Sequence, residues 1–155
     1  MKILLICTGN TCRSPMAEVL LRRELEAVGA KDVRVTSAGT GAWEGEPASE
    51  GSYLVALEHG LDLASHRARR ATRGLIAESD LILVMARAHL ERLAELGGFE
   101  KAHLLGEYAG EGERTEVSDP VGGPIEGYRR TFEQLQALVK HAARRIAAEA
   151  GRGER

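Results

Sequence analysis

The segment that most constrains the fold is the opening one, K-I-L-L-I followed by C-T-G-N-T-C-R-S-P, residues 2 to 15. Lys2 to Ile6, apolar at every position from Ile3 onward, suits a strand buried on both faces, as in a parallel sheet sandwiched between helices. A one-sided strand would alternate instead. Ser14 then reads as a helix cap and Pro15 as the first helical turn. Met16, Val19, Leu20 and Leu25 fall along one side of a helix running toward Gly29. The chain therefore begins as strand, tight polar loop, helix.

That alternation continues. Val33–Thr36 reads as a second strand, followed by a loop over Gly39–Glu50 that carries the sole tryptophan, Trp43. Ser49–Glu58 and Arg73–Glu78 read as helices, Asp80–Met85 as a third buried strand, Ala88–Leu96 as a helix and His103–Leu105 as a short fourth strand. A loop rich in Gly and Glu over Gly106–Pro124 precedes a terminal helix over Ile125–Ala150, and residues 151–155 read as a disordered tail. The pattern predicts one α/β domain over residues 1–150, a four-stranded parallel sheet with helices on both faces. In such sheets ligands bind beyond the carboxyl ends of the strands, which is where the Cys7 loop falls.

Bulk properties narrow the function. With 21 basic and 23 acidic side chains the net charge is −2, giving no electrostatic basis for binding nucleic acid or an anionic membrane. No apolar stretch approaches the roughly 20 residues that span a bilayer, and M-K-I-L-L-I lacks the hydrophobic region of a signal peptide. A cytoplasmic protein is expected. Cys7 and Cys12 are the only cysteines, too few for a disulfide scaffold and not at zinc-site spacing, so no metal is expected and reactive thiols are the better reading. Asn10 is the only asparagine, in a chain where that residue is otherwise avoided, which points to a special backbone or hydrogen-bonding demand.

The loop's residues can be read as one device. A turn from Cys7 to Arg13 can aim successive backbone N–H groups of Thr8, Gly9, Asn10, Thr11 and Cys12 inward as an anion nest. The following helix adds its positive end, and both favour a thiolate at Cys7. Arg13 supplies a planar fork that matches two phosphate oxygens. Gly9 permits close approach, Asn10 tolerates left-handed dihedrals, and Ser14 can donate to the thiolate. A nucleophilic sulfur at the base of a phosphate cradle suits covalent attack on phosphorus without a cofactor. Asp119, in S-D-P at 118–120, can protonate the leaving group and then deprotonate water.

These residues resemble the low-molecular-weight protein tyrosine phosphatases. The resemblance is carried by C-T-G-N-T-C-R-S-P-M-A-E, S-A-G at 37–39, H-G-L-D-L-A-S-H at 59–66, D-L-I-L-V-M at 80–85 and S-D-P at 118–120. It implies Cys7 as nucleophile, Arg13 as clamp and transition-state stabiliser, Asp119 as general acid, and Asn10, Ser14 and His66 as support. It also implies phosphorylated proteins as substrates, inorganic phosphate or a similar oxyanion as a ligand, and a reversible Cys7–Cys12 disulfide guarding the nucleophile. A monomer or weak homodimer is expected. Trp43 and Val121 are candidate walls for the substrate side chain.

Phosphotyrosine is the first substrate reading. Thr11 and D-P-V-G-G at 119–123 resemble instead the bacterial protein-arginine phosphatase branch, where that threonine is linked to phosphoarginine. Two other classes stay open: an arsenate reductase, although this chain has no cysteine after Cys12 to supply the relay such an enzyme uses, and a non-catalytic phosphoprotein-binding or redox-sensing module. The arginines at 67, 69, 70 and 73 read as a solvated face, and His59, His89, His103 and His141 as structural or exposed.

Overall fold

A computed structural model describes residues 1–112 and 115–153. Four parallel strands, β1 (Lys2–Cys7), β2 (Arg34–Gly39), β3 (Leu81–Val84) and β4 (Ala102–Leu104), lie in the order β2-β1-β3-β4. The central β1 is buried on both sides because its side chains alternate between two cores. Ile3 and Leu5 face one cluster and Leu4 and Ile6 the other, all of them fully buried.

On the first face pack α1 (Arg13–Ala27), α2 (Glu50–Glu58) and the long α6 (Ile125–Gly153). Tyr128, Phe132, Leu135, Val139, Ala142 and Ile146 of α6 are buried there, at alternating steps of three and four residues that keep them on one helical stripe. The second face is covered by α3 (Arg73–Glu78) and α4 (Arg87–Glu95), through Ile76 and Leu93.

Several boundaries differ from the sequence reading, each for a tertiary reason. β2 continues to Gly39 because Ser37, Ala38 and Gly39 pair with Leu5, Ile6 and Cys7. Helix α1 begins at Arg13 with no side-chain cap; Ser14 lies inside it, its hydroxyl engaged elsewhere. The Gly106–Pro124 loop is entered through a short helix, α5 (Leu105–Tyr108), held to α6 by Arg145 stacked 4.0 Å above the Tyr108 ring. Residues 113–114 of that loop lie outside the described residues. So do residues 154–155 of the expected tail, of which 151–153 are helical.

Parallel pairing of Cys7 with Gly39 delivers the end of β1 to the carboxyl edge of the sheet. A β-carbon at Gly39 would lie 2.4 Å from the Thr8 carbonyl oxygen and 2.9 Å from the Asn10 nitrogen. Only glycine lets the loop after β1 close down on β2 at that point.

Candidate active site

The loop over residues 7–13 turns its carbonyls outward. Cys7 O accepts from Thr40 N at 3.0 Å, Thr8 O from Gly41 N at 2.9 Å, and Thr11 O from Ser49 N at 2.9 Å. Asn10 O accepts from His66 Nε2 at 2.6 Å, which requires the proton on Nε2, and Cys12 O accepts from Ser52 Oγ at 3.2 Å. Among the described residues no protein group accepts a hydrogen bond from the backbone amides of Thr8 to Cys12. With its carbonyls fastened to the shell, the loop leaves its donors for an anion.

Asn10 explains why the chain keeps one asparagine. It is fully buried and the only non-glycine residue at positive φ among those described, at 55°, a conformation that asparagine tolerates better than most residues. Its Nδ2 donates to Ser14 Oγ at 2.8 Å and to Ser37 Oγ at 2.9 Å, while Oδ1 accepts from Arg69 N at 3.0 Å. Both amide hydrogens are therefore committed. Ser14 Oγ lies 2.9 Å from Cys7 Sγ; since it already accepts from Asn10, its own hydrogen is free to go to the sulfur. The order Ser37–Asn10–Ser14–Cys7 fixes the direction of every donor up to the thiol.

Arg13 is 5% exposed. Its Nη1 donates to Val117 O at 3.1 Å and its Nη2 to Asp119 Oδ2 at 3.4 Å, so it joins the Cys7 loop to the segment carrying the aspartate. That segment is pinned to its surroundings: Val117 N donates to Met85 O at 2.8 Å, and Thr131 Oγ1 of α6 donates to Ser118 O at 3.2 Å. Asp119 Oδ1 also accepts from Val121 N at 3.1 Å, which aims the carboxylate.

A cavity of about 180 Å³ opens over these groups, lined by Cys7, Thr8, Gly9, Thr11, Cys12, Arg13, Asp119 and Val121. The structure thus gathers most of the sequence-predicted residues. Asn10, Ser14 and His66 stand behind the lining and hold it. Trp43 does not join them. It is 80% exposed, two residues past the point where Gly41 ties its loop to Thr8. No group of His, Cys, Asp or Glu that could hold a metal ion is found among the described residues.

Cys7 and Cys12 are both free thiols. The Cys12 thiol donates to Ser49 Oγ at 3.3 Å, Ser49 to Ser52 Oγ at 3.0 Å, and Ser52 back to Cys12 O. This closed circuit fastens the end of the loop to α2. Tyr128 OH comes within 3.8 Å of the same sulfur, and burial together with Cys12 pushes its ionisation upward. Gly51 makes room for that ring, since a β-carbon there would lie 2.6 Å from it.

Four contributors were not legible as such in the sequence: Ser37, Arg69, Ser49 and His89. Ser37 sits within S-A-G, but nothing in that motif announces a bond to Asn10. Arg69 is half-buried rather than part of a solvated face, with Nε donating to Ser37 O at 3.1 Å. His89 is 3% exposed and lies beside the cavity.

Comparison with known proteins follows the same lines. Residues 2–152 match the family model for low molecular weight phosphotyrosine protein phosphatase. The low molecular weight protein-tyrosine-phosphatase Wzb of Escherichia coli K12 is 39% identical over 147 residues, covering 94% of this chain and 92% of Wzb. The protein-arginine-phosphatase of Geobacillus stearothermophilus is 35% identical over 150 residues, covering 96% and 97%. Among solved structures, the arginine phosphatase YwlE, as a cysteine-to-serine mutant with a phosphorylated active-site serine, superposes with a TM-score of 0.89 at 33% identity, covering 94% of this chain and 95% of that one.

Proposed function

Since the chain belongs to the low molecular weight phosphotyrosine protein phosphatase family, and is a cysteine-dependent protein phosphatase, we propose that Cys7, Arg13 and Asp119 carry its chemistry. The observation that carries this reading is the convergence of Cys7, Arg13 and Asp119 on one cavity, with Ser14 bonded to the sulfur.

A Cys7 thiolate, held by the Ser14 hydroxyl, attacks phosphorus in line with the ester oxygen. The loop amides and the Arg13 fork take the equatorial oxygens, where charge accumulates in the transition state. Asp119, protonated, gives its proton to the departing oxygen. A cysteinyl-phosphate remains. Asp119, now a carboxylate, takes a proton from water as that water attacks the phosphorus, releasing phosphate and the Cys7 thiolate. Ser14 stabilises the sulfur as it leaves. Cys12, which lines the same cavity, serves as a resolving thiol for an oxidised Cys7, and a reducing, cytoplasmic setting suits both.

Phosphotyrosine-bearing proteins are the first substrate class, with Val121 and Thr11 flanking the ring. A second reading, phosphoarginine, is favoured by Thr11 on the cavity lining, where its hydroxyl can accept from guanidinium N–H groups, and by the absence of an aromatic residue from that lining. Parallel kinetics on phosphotyrosine and phosphoarginine peptides, with Thr11→Ile beside the wild type, decide between them. A phosphotyrosine preference unmoved by Thr11→Ile supports the first reading, and a phosphoarginine preference that the substitution reverses supports the second.

A further inference from the structure

His89 takes no part in the steps above, yet it is buried against the site with both ring nitrogens engaged. Ala86 N donates to Nδ1 at 3.1 Å, so Nδ1 is an acceptor and the proton of the neutral ring sits on Nε2. Nε2 lies 2.9 Å from Thr8 Oγ1 and therefore donates to it. The ring stays neutral in ordinary buffers: burial, then the charge of Arg13, lower its pKa to about 4 against the opposing pull of Asp119 and Glu116.

This fixes what Thr8 can do. Its hydroxyl oxygen has accepted one bond, and its single hydrogen must go elsewhere. Among the described residues no protein group accepts it. Thr8 lines the cavity over Cys7, and a hydroxyl that accepts one hydrogen bond becomes a stronger donor in the next.

We infer that Thr8 is a phosphoryl-binding residue of this site, its side-chain hydroxyl donating to a phosphoryl oxygen beside the loop amides and Arg13, and that His89 is the positioning residue that forces it to donate. The assignment rests on the phosphatase reading, and adds to it a neutral donor whose orientation is set from the far side of the sheet edge by α4.

The test measures the affinity of the full chain for inorganic phosphate, by calorimetry and by competition with hydrolysis of p-nitrophenyl phosphate. Thr8→Val weakens phosphate about tenfold, the loss of one hydrogen bond to a charged acceptor, and Thr8→Ser restores it. His89→Asn keeps an acceptor near the Ala86 amide but cannot reach Thr8, so it weakens phosphate; His89→Gln, whose amide nitrogen reaches the Nε2 position, restores it. Should His89→Asn not fold, the Thr8 pair and His89→Gln decide. Wild-type phosphate affinity in Thr8→Val overturns the inference. Weak binding in Thr8→Val together with undiminished binding in His89→Asn overturns the part assigned to His89. Failure of the underlying phosphatase reading has a separate signature, hydrolysis that survives Cys7→Ser.

Discussion

Arg13 Nη2 lies 3.4 Å from Asp119 Oδ2, one contact between the two groups proposed to act on opposite sides of the scissile bond. The guanidinium is buried and the carboxylate is 42% exposed. A buried cation thus holds a carboxylate that still reaches solvent. Four expectations follow from this arrangement and the network behind it, before the direct test of the nucleophile.

If Asp119 is the proton donor, its removal hurts most where the leaving group most needs a proton. Asp119→Asn should lower kcat by about 10²- to 10⁴-fold on phosphotyrosine peptides, and by less on p-nitrophenyl phosphate, whose leaving group departs readily unprotonated. Steady-state kinetics on a series of aryl phosphates of graded leaving-group pKa measure the slope. An equal loss across the series would remove Asp119 from that role.

Asn10 both organises the loop and bears its positive φ. Asn10→Ala removes the donor to Ser14 Oγ, leaves Ser37 Oγ and the Arg69 amide without that partner and keeps the backbone demand, so a loss of about 2–4 kcal/mol in urea unfolding is expected. Because Ser14 loses its orientation as well, kcat should fall more than KM rises. Full kcat in a destabilised but folded variant would confine Asn10 to a structural part.

Gly39 is demanded by contact rather than by turn geometry. Gly39→Ala places a methyl 2.4 Å from the Thr8 carbonyl, a backbone atom that cannot swing aside. A loss of about 1–3 kcal/mol is expected, with weaker phosphate binding because the loop is pushed off β2. Thermal unfolding and phosphate titration of the same sample report the two effects together.

His89 also predicts a pH dependence of stability. Burial holds folded His89 unprotonated down to about pH 4, against an ordinary value of 6.5, so between those values the unfolded chain binds more protons. Its contribution is complete above about pH 6.5 and is lost on acidification, at up to about 1.4 kcal/mol per pH unit. The stability of wild type relative to His89→Gln should therefore fall from pH 6.5 toward 4 and stay level above it. Denaturant unfolding of the two proteins in parallel cancels the carboxylates common to both. A difference that stays constant across this range would contradict the assigned burial.

What the sequence made legible, and what it hid, divides along physical lines. The apolar run before Cys7 announced a doubly buried strand because a single strand bears that pattern whatever surrounds it. Cys7, Arg13 and Asp119, which meet at one cavity, stand out in the sequence because few roles suit those residue types in those motifs. Local sequence offers Ser14 both as a helix cap and as a donor to Cys7; the structure has no side-chain cap there, and the hydroxyl goes to the buried thiol and Asn10. Ser37, Arg69 and His89 acquire their roles only when strand pairing and α4 bring them to the loop, across separations of 27, 59 and 81 residues from their partners. No short-range pattern encodes such meetings. Trp43 shows the converse: a residue type that suggested a substrate wall is mostly exposed and does not join the cavity lining, on a loop fastened to Thr8 and to Ala68.

The central claim is that phosphate passes through Cys7. Rapid acid quench of wild-type enzyme during turnover of p-nitrophenyl phosphate, followed by peptide mass spectrometry, tests it directly. The predicted result is one phosphoryl group on the peptide containing Cys7, retained longer in a variant with Asp119→Ala, together with loss of turnover in Cys7→Ser and indifference to chelators. Turnover that persists in Cys7→Ser and is abolished by a chelator would contradict it.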